Sequence, residues 1–399
     1  MSPVDGARFP RRTIQSNHLG RPLLAQYDLA EIRSSVSPEH LADRPPSLWR
    51  YEELLPLEHS RQCITLGEMM TPTTRQDALG QHLGLNDLWI KDETVLPTGS
   101  FKSRGMAVAV SMARELGIRR IAMPTAGNAG AALAAYAAKA NIEAFVFMPS
   151  DAPLHNQHHT ATGAHLVLVE GVISDCARLV QEGKEAARWF DFSTLREPYR
   201  LEGKKTMGFE LAEQCEWTLP DVILYPTGGG TGLIGMWKAF HELKELGWLA
   251  SDKLPRMVAV QSTGCNPIEK AWLAGKDHCV FFEGAATVAS GLRVPSTTGD
   301  FLILEALRES NGTAVAVEEE RILEWMLIGQ RSTGLSIGPE SAACIGAALK
   351  LVESGWLSPS DRVVLFNCGP ERAPGQLERP DVPLLNPDQP VDWSAILTS

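Results

Sequence analysis

The chain has no closely spaced cysteine motif, no long apolar run and no excess of basic residues. None of its 7 cysteines is spaced as C-x-x-C, so we interpret them as reduced thiols of a cytosolic protein. The formal net charge of −11 gives no long-range attraction to nucleic acid. The longest small-apolar run, 129–140, contains Tyr136 and Lys139 and is too short to cross a bilayer. The basic N terminus is not followed by the apolar core of a signal peptide. The sequence therefore predicts a cytoplasmic protein without a membrane or nucleic-acid partner.

Short apolar runs alternate with helical patterns along most of the chain. At 399 residues, with 44% hydrophobic and 21% charged residues, it is long enough for two domains with separate cores. The alternation predicts an α/β fold of parallel-rich sheets flanked by helices. The predicted strands are 88–91, 120–124, 143–148, 165–170, 222–225, 257–261 and 362–366. The predicted helices are 103–116, 130–140, 174–189, 232–246 and 318–330.

The spacing of the strands predicts two structural units. Strands near 120, 145, 167 and 192 are close together in sequence, which favours one compact subdomain, whereas those near 89, 223, 259 and 364 form another that the chain enters twice. The predicted organisation is an N-terminal arm, a large domain in two segments, a small domain and an extended proline-rich tail. Their limits are 1–57 for the arm, 58–102 and 207–372 for the large domain, 103–206 for the small domain and 373–399 for the tail.

The run P-T-G-S-F-K at 97–102 places Lys102 at the start of a helix. The positive end of the helix dipole disfavours an ammonium group there and favours the neutral amine, which forms Schiff bases. The alternative is an ordinary surface lysine. Three further segments favour the catalytic interpretation.

The second segment, T-A-G-N-A-G at 125–130, follows a predicted strand and opens a helix. Asn128 offers an amide donor to a ring oxygen. The backbone N–H groups around Thr125 and Gly127 suit a carboxylate, and the glycines allow a ligand to approach closely. A plain strand-to-helix turn is the alternative.

The third segment, P-T-G-G-G-T-G at 226–232, has the form of a phosphate cradle. Its N–H groups can point inward, with a helix N terminus behind them. Leu233 replaces the lysine of a Walker loop, which disfavours a nucleoside triphosphate. Gly230, Gly232 and Gly235 match G-x-G-x-x-G, but no acidic residue follows the next strand, so an NAD enzyme is a weak alternative.

The fourth segment, Asn367 to Gly369, ends the last predicted strand. Cys368 is either a buried structural thiol or a ligand contact at the carboxyl edge of the sheet.

These four segments resemble, in their order, the threonine synthase branch of the pyridoxal-phosphate (PLP) enzymes with the tryptophan synthase β-subunit fold. The resemblance covers about 46–369 and also includes R-L-E-G-K-K-T at 200–206. It implies that Lys102 binds PLP, that Asn128 contacts the 3′-oxygen of the ring and that Arg200 binds the substrate phosphate. It also implies a homodimer. The loop that holds the cofactor phosphate comprises Gly228, Gly229, Gly230, Thr231 and Gly232.

The chain departs from the family pattern at several positions. Cys368 stands where the family has Ser or Thr beside the pyridine nitrogen, and a thiol is a weaker donor than a hydroxyl. The run 67–73 reads G-E-M-M-T-P-T rather than G-E-G-x-T-P-L, and the N-terminal cysteine cluster of close relatives is missing. The expected reaction is the conversion of O-phosphohomoserine and water to threonine and phosphate. The alternatives are a threonine or serine ammonia-lyase, a β-replacement enzyme and a PLP-binding protein without turnover.

Two other features are left without a functional assignment. His155, His158 and His159 lie at i, i+3 and i+4 and are interpreted as a solvated helix start, so no metal site is predicted. Glu340 resembles part of a family P-E-G segment, but a helix-opening acid after a proline explains it equally well.

Overall fold

The computed structural model describes residues 1–58, 62–371 and 378–398, which form two predominantly parallel sheets flanked by helices. The strands are β1 Thr73–Arg75, β2 Asp87–Asp92, β3 Arg120–Pro124, β4 Glu143–Pro149, β5 His165–Val169, β6 Phe190–Asp191, β7 Val222–Pro226, β8 Arg256–Ser262, β9 Thr313–Val317, β10 Arg362–Asn367 and β11 Leu384–Leu385. The large sheet has the order β1-β2-β10-β7-β8-β9 and the small sheet the order β11-β5-β4-β3-β6. Among the strand pairs of these two sheets, only that of β1 with β2 is antiparallel within the described residues.

The helices cover both faces of each sheet. They are α1 Leu29–Ser35, α2 Pro38–Ala42, α3 Asp77–Leu83, α4 Lys102–Glu115, α5 Asn128–Ala140, α6 Leu154–Ala161, α7 Ile173–Glu182, α8 Lys184–Ala187, α9 Tyr199–Gln214, α10 Thr231–Leu246, α11 Pro267–Leu273, α12 Asp300–Glu309, α13 Ile322–Thr333, α14 Pro339–Glu353 and α15 Trp393–Thr398. In the described ranges, none of these helices combines the length and apolar character needed to cross a membrane.

The seven predicted strands, the further strand expected near 192, which is β6, and their division between two sheets are confirmed. Strands such as β4, with Phe145, Val146 and Phe147 fully buried, are covered on both faces, and for this reason they appear as continuous apolar runs in the sequence. Three strands were not predicted. β1 and β11 are very short edge strands, and β9 was missed although it is a buried T-A-V-A-V run.

The prediction of one helix over 174–189 is wrong. The chain is interrupted at Gly183 between α7 and α8, and Trp189 and Trp393 leave no room for a side chain at that position. A Cβ at position 183 would lie 2.5 Å from Trp189 and 2.7 Å from Trp393. The predicted helix 318–330 begins later, at Ile322, after a short 3-10 turn.

The two ends of the chain pack on the sheets. In the N-terminal arm, Tyr51 and Leu54 are buried in a cluster with helix α10 residues such as Leu243. In the C-terminal tail, β11 pairs with β5, and α15 buries Ile396 against the small sheet. The expectation of an extended tail is therefore wrong for 393–398, while 372–377 lie outside the described residues. The predicted domain limits remain predictions.

A buried ion network holds the start of α4 against the large sheet. The Arg104 guanidinium donates to Glu93 on one side, at 2.6 Å, and to Glu210 of α9 on the other, at 2.8 Å. Lys91 of β2 also donates to Glu210, at 2.8 Å. All four side chains are completely buried. Because each charge has an opposite partner, the network joins β2, α4 and α9 close to Lys102.

Candidate active site

The predicted segments meet in a cleft between the two sheets. Strands β2, β10 and β7 are neighbours and parallel, so the segments that follow them leave the same edge of the large sheet. The backbone N–H of Phe101 donates to the carbonyl of Cys368 at 3.2 Å, which joins the first and fourth segments. A Cβ on Gly369 would lie 3.2 Å from Nδ2 of Asn128, so the second segment reaches the same place from the small sheet.

Lys102 is the first residue of α4, as the sequence predicts. Its side chain is half-buried, and Nζ lies 3.7 Å from the centre of the Phe101 ring. Among the described residues, no carboxylate forms an ion pair with Nζ of Lys102. Burial lowers the pKa of Lys102 to about 8, with a smaller lowering from Arg200 and opposing effects of Cys368 and Glu340. A lysine in this environment reaches its nucleophilic form near neutral pH.

A second amine lies near the same aromatic ring. Nζ of Lys204 is 4.3 Å from the centre of the same Phe101 ring, and it donates to the Phe101 carbonyl oxygen. Burial, and then the charge of Lys102, lower the pKa of Lys204 well below its ordinary value. The sequence did not distinguish Lys204 from Lys205, which is paired with Glu202 at 2.7 Å.

The segment at 125–130 forms a turn that leads into α5. The Gly127 N–H donates to Oγ1 of Thr125 at 3.2 Å, and α5 begins at Asn128. The buried Oδ1 atom of Asn128 has no hydrogen-bond partner in the described part of the chain. The amide therefore retains an acceptor for a ligand, and its Nδ2 group faces the segment that follows β10.

The glycine-rich loop approaches its neighbours too closely for side chains. A Cβ on Gly228 would lie 2.3 Å from the Gly291 carbonyl oxygen. Gly230 has φ +78° and would place a Cβ 2.2 Å from Ile303. The loop therefore needs glycine at both positions, and it leads directly into α10, whose N-terminal N–H groups suit an anion.

Cys368 is buried and its thiol is neutral. Burial raises the pKa of Cys368 to about 12, with opposing effects from Tyr225 and Lys102. Its backbone N–H donates to Oγ of Ser341 at 3.1 Å, which fixes the end of β10 against α14. The thiol offers only a weak donor to a ligand.

Arg200 lies in the first turn of α9. Its side chain is 4% exposed, and Nη1 donates to the Phe192 carbonyl at 2.9 Å. Burial lowers the pKa of Arg200, against the opposing charges of Glu197 and Asp191. Because Arg200 also contributes to the low pKa of Lys102, its charge acts on the same cleft.

Sequence reasoning missed the segment Ala289–Arg293, which crosses the cleft. Ser290 lies beside Gly127 of the small sheet, and the Gly291 carbonyl lies against Gly228 of the glycine-rich loop. The Gly291 N–H donates to Oε1 of Glu340 at 2.7 Å, so the unassigned acid anchors this segment. The irregular run A-S-G-L-R has no periodic signal that would have revealed it. No group of three or more metal-ligating side chains occurs in the described residues.

The residues of the cleft fit a flat, polar ring that carries a phosphate. The glycine-rich loop is a cradle that Cβ atoms would fill. Three buried oxygen atoms in the segments that meet here have no hydrogen-bond partner within the described ranges. They are Ser100 Oγ, Asn128 Oδ1 and the Tyr225 hydroxyl. By contrast, Gly235 of the formal dinucleotide pattern lies inside α10 and packs on Lys205 and Leu201 of α9, so the pattern reflects helix packing.

The family model for pyridoxal-phosphate-dependent enzymes matches residues 64–369. The chain therefore belongs to this family of PLP-dependent enzymes. It is 36% identical to a threonine synthase of Methanosarcina acetivorans over 86% of this chain and 84% of the relative. It is 32% identical to a threonine synthase of Methanocaldococcus jannaschii over 92% of this chain and 89% of the relative.

Solved structures confirm the fold. Maize serine racemase has a TM-score of 0.65 at 22% identity and covers 75% of this chain and 88% of its own. Diaminopropionate ammonia lyase from Escherichia coli has a TM-score of 0.66 at 18% identity and covers 77% of this chain and 86% of its own. The predicted α/β fold and the PLP cofactor are therefore confirmed, and the NAD alternative is wrong.

Proposed function

We propose that this protein is a threonine synthase, which converts O-phosphohomoserine and water to threonine and phosphate. The observation that carries the proposal is a match to threonine synthases along 84% and 89% of their own lengths. Arg200 supports it, because a buried guanidinium whose charge acts on the reactive lysine suits a substrate with a distal phosphate.

The cofactor-binding roles follow the four segments. We assign covalent attachment to Lys102, the ring oxygen to Asn128 and the ring nitrogen to Cys368. The phosphate is assigned to the N–H groups of Gly228, Gly229, Gly230, Thr231 and Gly232, at the start of α10. When bound, PLP withdraws electrons from the amino acid attached to it and allows its Cα–H bond to break.

The substrate roles follow from position and charge. The neutral amine of Lys102 takes the Cα proton, because the pKa of about 8 leaves part of the population unprotonated at neutral pH. Thr125 and the N–H groups near Gly127 bind the substrate carboxylate, and Arg200 holds the phosphate. The neutral Cys368 thiol cannot protonate the ring nitrogen strongly, which favours elimination over transamination.

The test measures phosphate and threonine released from O-phospho-L-homoserine, and 2-oxo acid released from L-threonine and L-serine. We expect threonine and phosphate in equal amounts. Oxo acid from threonine or serine, with no product from O-phosphohomoserine, would instead indicate an ammonia-lyase. An absence of turnover with all three would favour a β-replacement enzyme or a PLP-binding protein, and either result overturns the proposal.

Arg200→Met separates substrate binding from cofactor binding. Losing a charged hydrogen bond costs roughly 1.5–3 kcal/mol, so we expect the KM for O-phosphohomoserine to rise about 10- to 100-fold while the visible band of the bound cofactor persists. Arg178→Met is the control, because Arg178 lies on the exposed face of α7 and pairs with Glu182. An unchanged KM in Arg200→Met contradicts the role of Arg200.

We also propose a cytoplasmic homodimer. All seven cysteines are free thiols, which suits a reducing compartment. The end of α11 and the stretch before α12 expose the large apolar side chains of Leu273, Val280, Phe281 and Val288, which suit contact with a second copy. Light scattering of the purified holoenzyme checks the oligomeric state, and a monomeric mass contradicts the proposal.

A further inference from the structure

Tyr225 has a buried hydroxyl group that the protein leaves without a partner. The residue is 1% exposed at the end of β7, and its oxygen has no hydrogen bond among the described residues. Two other buried tyrosines, Tyr51 and Tyr136, donate to carboxylates, Tyr51 to Glu213 at 2.6 Å and Tyr136 to Glu68. An unpartnered buried hydroxyl costs stability, so its retention points to a ligand that is bound in the working enzyme.

The position of this hydroxyl is fixed between two cofactor-binding segments. A Cβ on Gly232, in the first turn of α10, would lie 2.0 Å from the Tyr225 oxygen, so the phenol lies directly against the glycine-rich loop. The Cys368 thiol lies beside the same oxygen and interacts with it electrostatically, although the pair does not form a hydrogen bond of ordinary geometry. Phe101 and Phe366 pack against the ring, with centroids 5.9 and 5.3 Å away. The phenol therefore has little freedom to turn to another partner.

We propose that Tyr225 is a further cofactor-binding residue, whose hydroxyl donates to the nitrogen edge of the pyridine ring together with Cys368. This inference rests on the proposed function only for the placement of the ring nitrogen at Cys368. The phenol supplies the strong donor that the thiol lacks. A hydroxyl is thus present at this edge of the ring, but it comes from β7 instead of from the residue after β10.

Tyr225→Phe tests the proposal through cofactor affinity and apoenzyme stability. A hydrogen bond contributes about 0.5–1.5 kcal/mol net, so we expect the dissociation constant of PLP to rise about 3- to 10-fold. The thermal midpoint of the apoenzyme should stay the same or rise, because the substitution removes a buried unsatisfied hydroxyl. Tyr51→Phe is the matched control. It is equally buried but loses its bond to Glu213, so its apoenzyme midpoint should fall while PLP affinity is unchanged.

Two further measurements assign the contact to the ring. In a Cys368→Ser background, the serine hydroxyl can replace the phenol, so Tyr225→Phe should weaken PLP binding less than it does in the natural protein. The affinity of the apoenzyme for inorganic phosphate should be the same with Tyr225 and with Phe. Unchanged PLP affinity in Tyr225→Phe overturns the proposal, and so does an equal loss of affinity for PLP and for inorganic phosphate. These binding measurements need no substrate, so they remain valid if the enzyme acts on another amino acid.

Discussion

Gly203 of α9 lies against the backbone carbonyl of Arg104 in α4, so closely that a Cβ at position 203 would be 2.1 Å from that oxygen. The two helices cross at this point with their backbones in contact. A Cβ on Gly105, on the opposite side of the crossing, would lie 2.9 Å from Cε of Lys204. The crossing brings Arg200 and Lys204 to the start of α4, where Lys102 lies, so the geometry of the cleft depends on two glycines.

Gly203→Ala should therefore separate the two helices. Overpacking of this kind costs about 1–3 kcal/mol, and we expect both a lower free energy of unfolding in urea and a weaker visible band of bound cofactor. Gly355→Ala is the control, because Gly355 has φ +74° and no atom near its Cβ position. It should cost about 1 kcal/mol through backbone strain and leave the band intact. A normal band in Gly203→Ala would show that the crossing does not control the site.

The Glu210→Gln substitution should lower the free energy of unfolding at neutral pH. It removes the shared partner of Arg104 and Lys91 in a fully buried network, and breaking such a network costs about 3–5 kcal/mol. Urea titration at pH 7 measures the loss. A change below about 1 kcal/mol would mean that the network is not stabilising.

The same carboxylate predicts an acid-dependent loss of stability. Burial acts to raise the pKa of Glu210, but Arg104 and Lys91 outweigh it and lower the pKa to about 2. A lowered carboxyl pKa contributes stability that is complete above the unfolded value near 4.5 and is lost as the pH falls toward 2. The difference in stability between the natural protein and Glu210→Gln should therefore shrink between pH 5 and 2.

Glu197 should give stability the opposite dependence on pH from Glu210. Its Oε2 atom accepts the N–H groups of Tyr199 and Arg200 at 2.6 and 3.0 Å, and burial raises its pKa to about 7 despite these donors. A raised carboxyl pKa means that the folded state binds more protons between the unfolded value, near 4.5, and 7. Stability then falls as the pH rises through this window.

Glu197→Gln should remove this dependence, because the amide oxygen can still accept both N–H groups without a charge. We expect the variant to gain about 1–3 kcal/mol relative to the natural protein at pH 8, and less at pH 5. Thermal melts across this range check the prediction. Parallel pH profiles for the two proteins would contradict it.

The pKa of Lys102 predicts how apoenzyme recovers its cofactor. Only the neutral amine attacks the aldehyde, and burial lowers the pKa to about 8. The rate of return of the visible band should rise roughly tenfold per pH unit up to about pH 8 and then level off. A rate that keeps rising to pH 10 would show that Lys102 has an ordinary lysine pKa.

Much of the fold could be predicted because the strands are buried on both faces and therefore form short, continuous apolar runs. Helix α9 could not be predicted from an apolar pattern. Its buried face includes Glu202, Lys205 and Glu210, whose charges are neutralised by ion pairs inside the protein. The requirement for glycine at position 183 comes partly from Trp393, which is distant in sequence, so no local pattern reveals it.

Some residues of the candidate site could likewise be predicted from the sequence, and others could not. Lys102, Asn128 and the glycine-rich loop lie where strands turn into helices, and that pattern is visible in the sequence. Tyr225 looks like any apolar strand residue, and the segment that includes Gly291 reaches the cleft only through the tertiary fold. Lys204 differs from Lys205 in its contact with Phe101 and in having no ion pair with a carboxylate among the described residues, and neither difference is visible in the sequence.

The most direct test of the account is to reduce the holoenzyme with borohydride, digest it and identify the peptide that carries the cofactor by mass spectrometry. Lys102 and Lys204 both lie next to the Phe101 ring, so the experiment distinguishes two nearby amines. We predict a single modification, on Lys102, that is lost in Lys102→Ala and retained in Lys204→Met. Modification of Lys204 or of any other lysine, or no modification at all, would contradict the account.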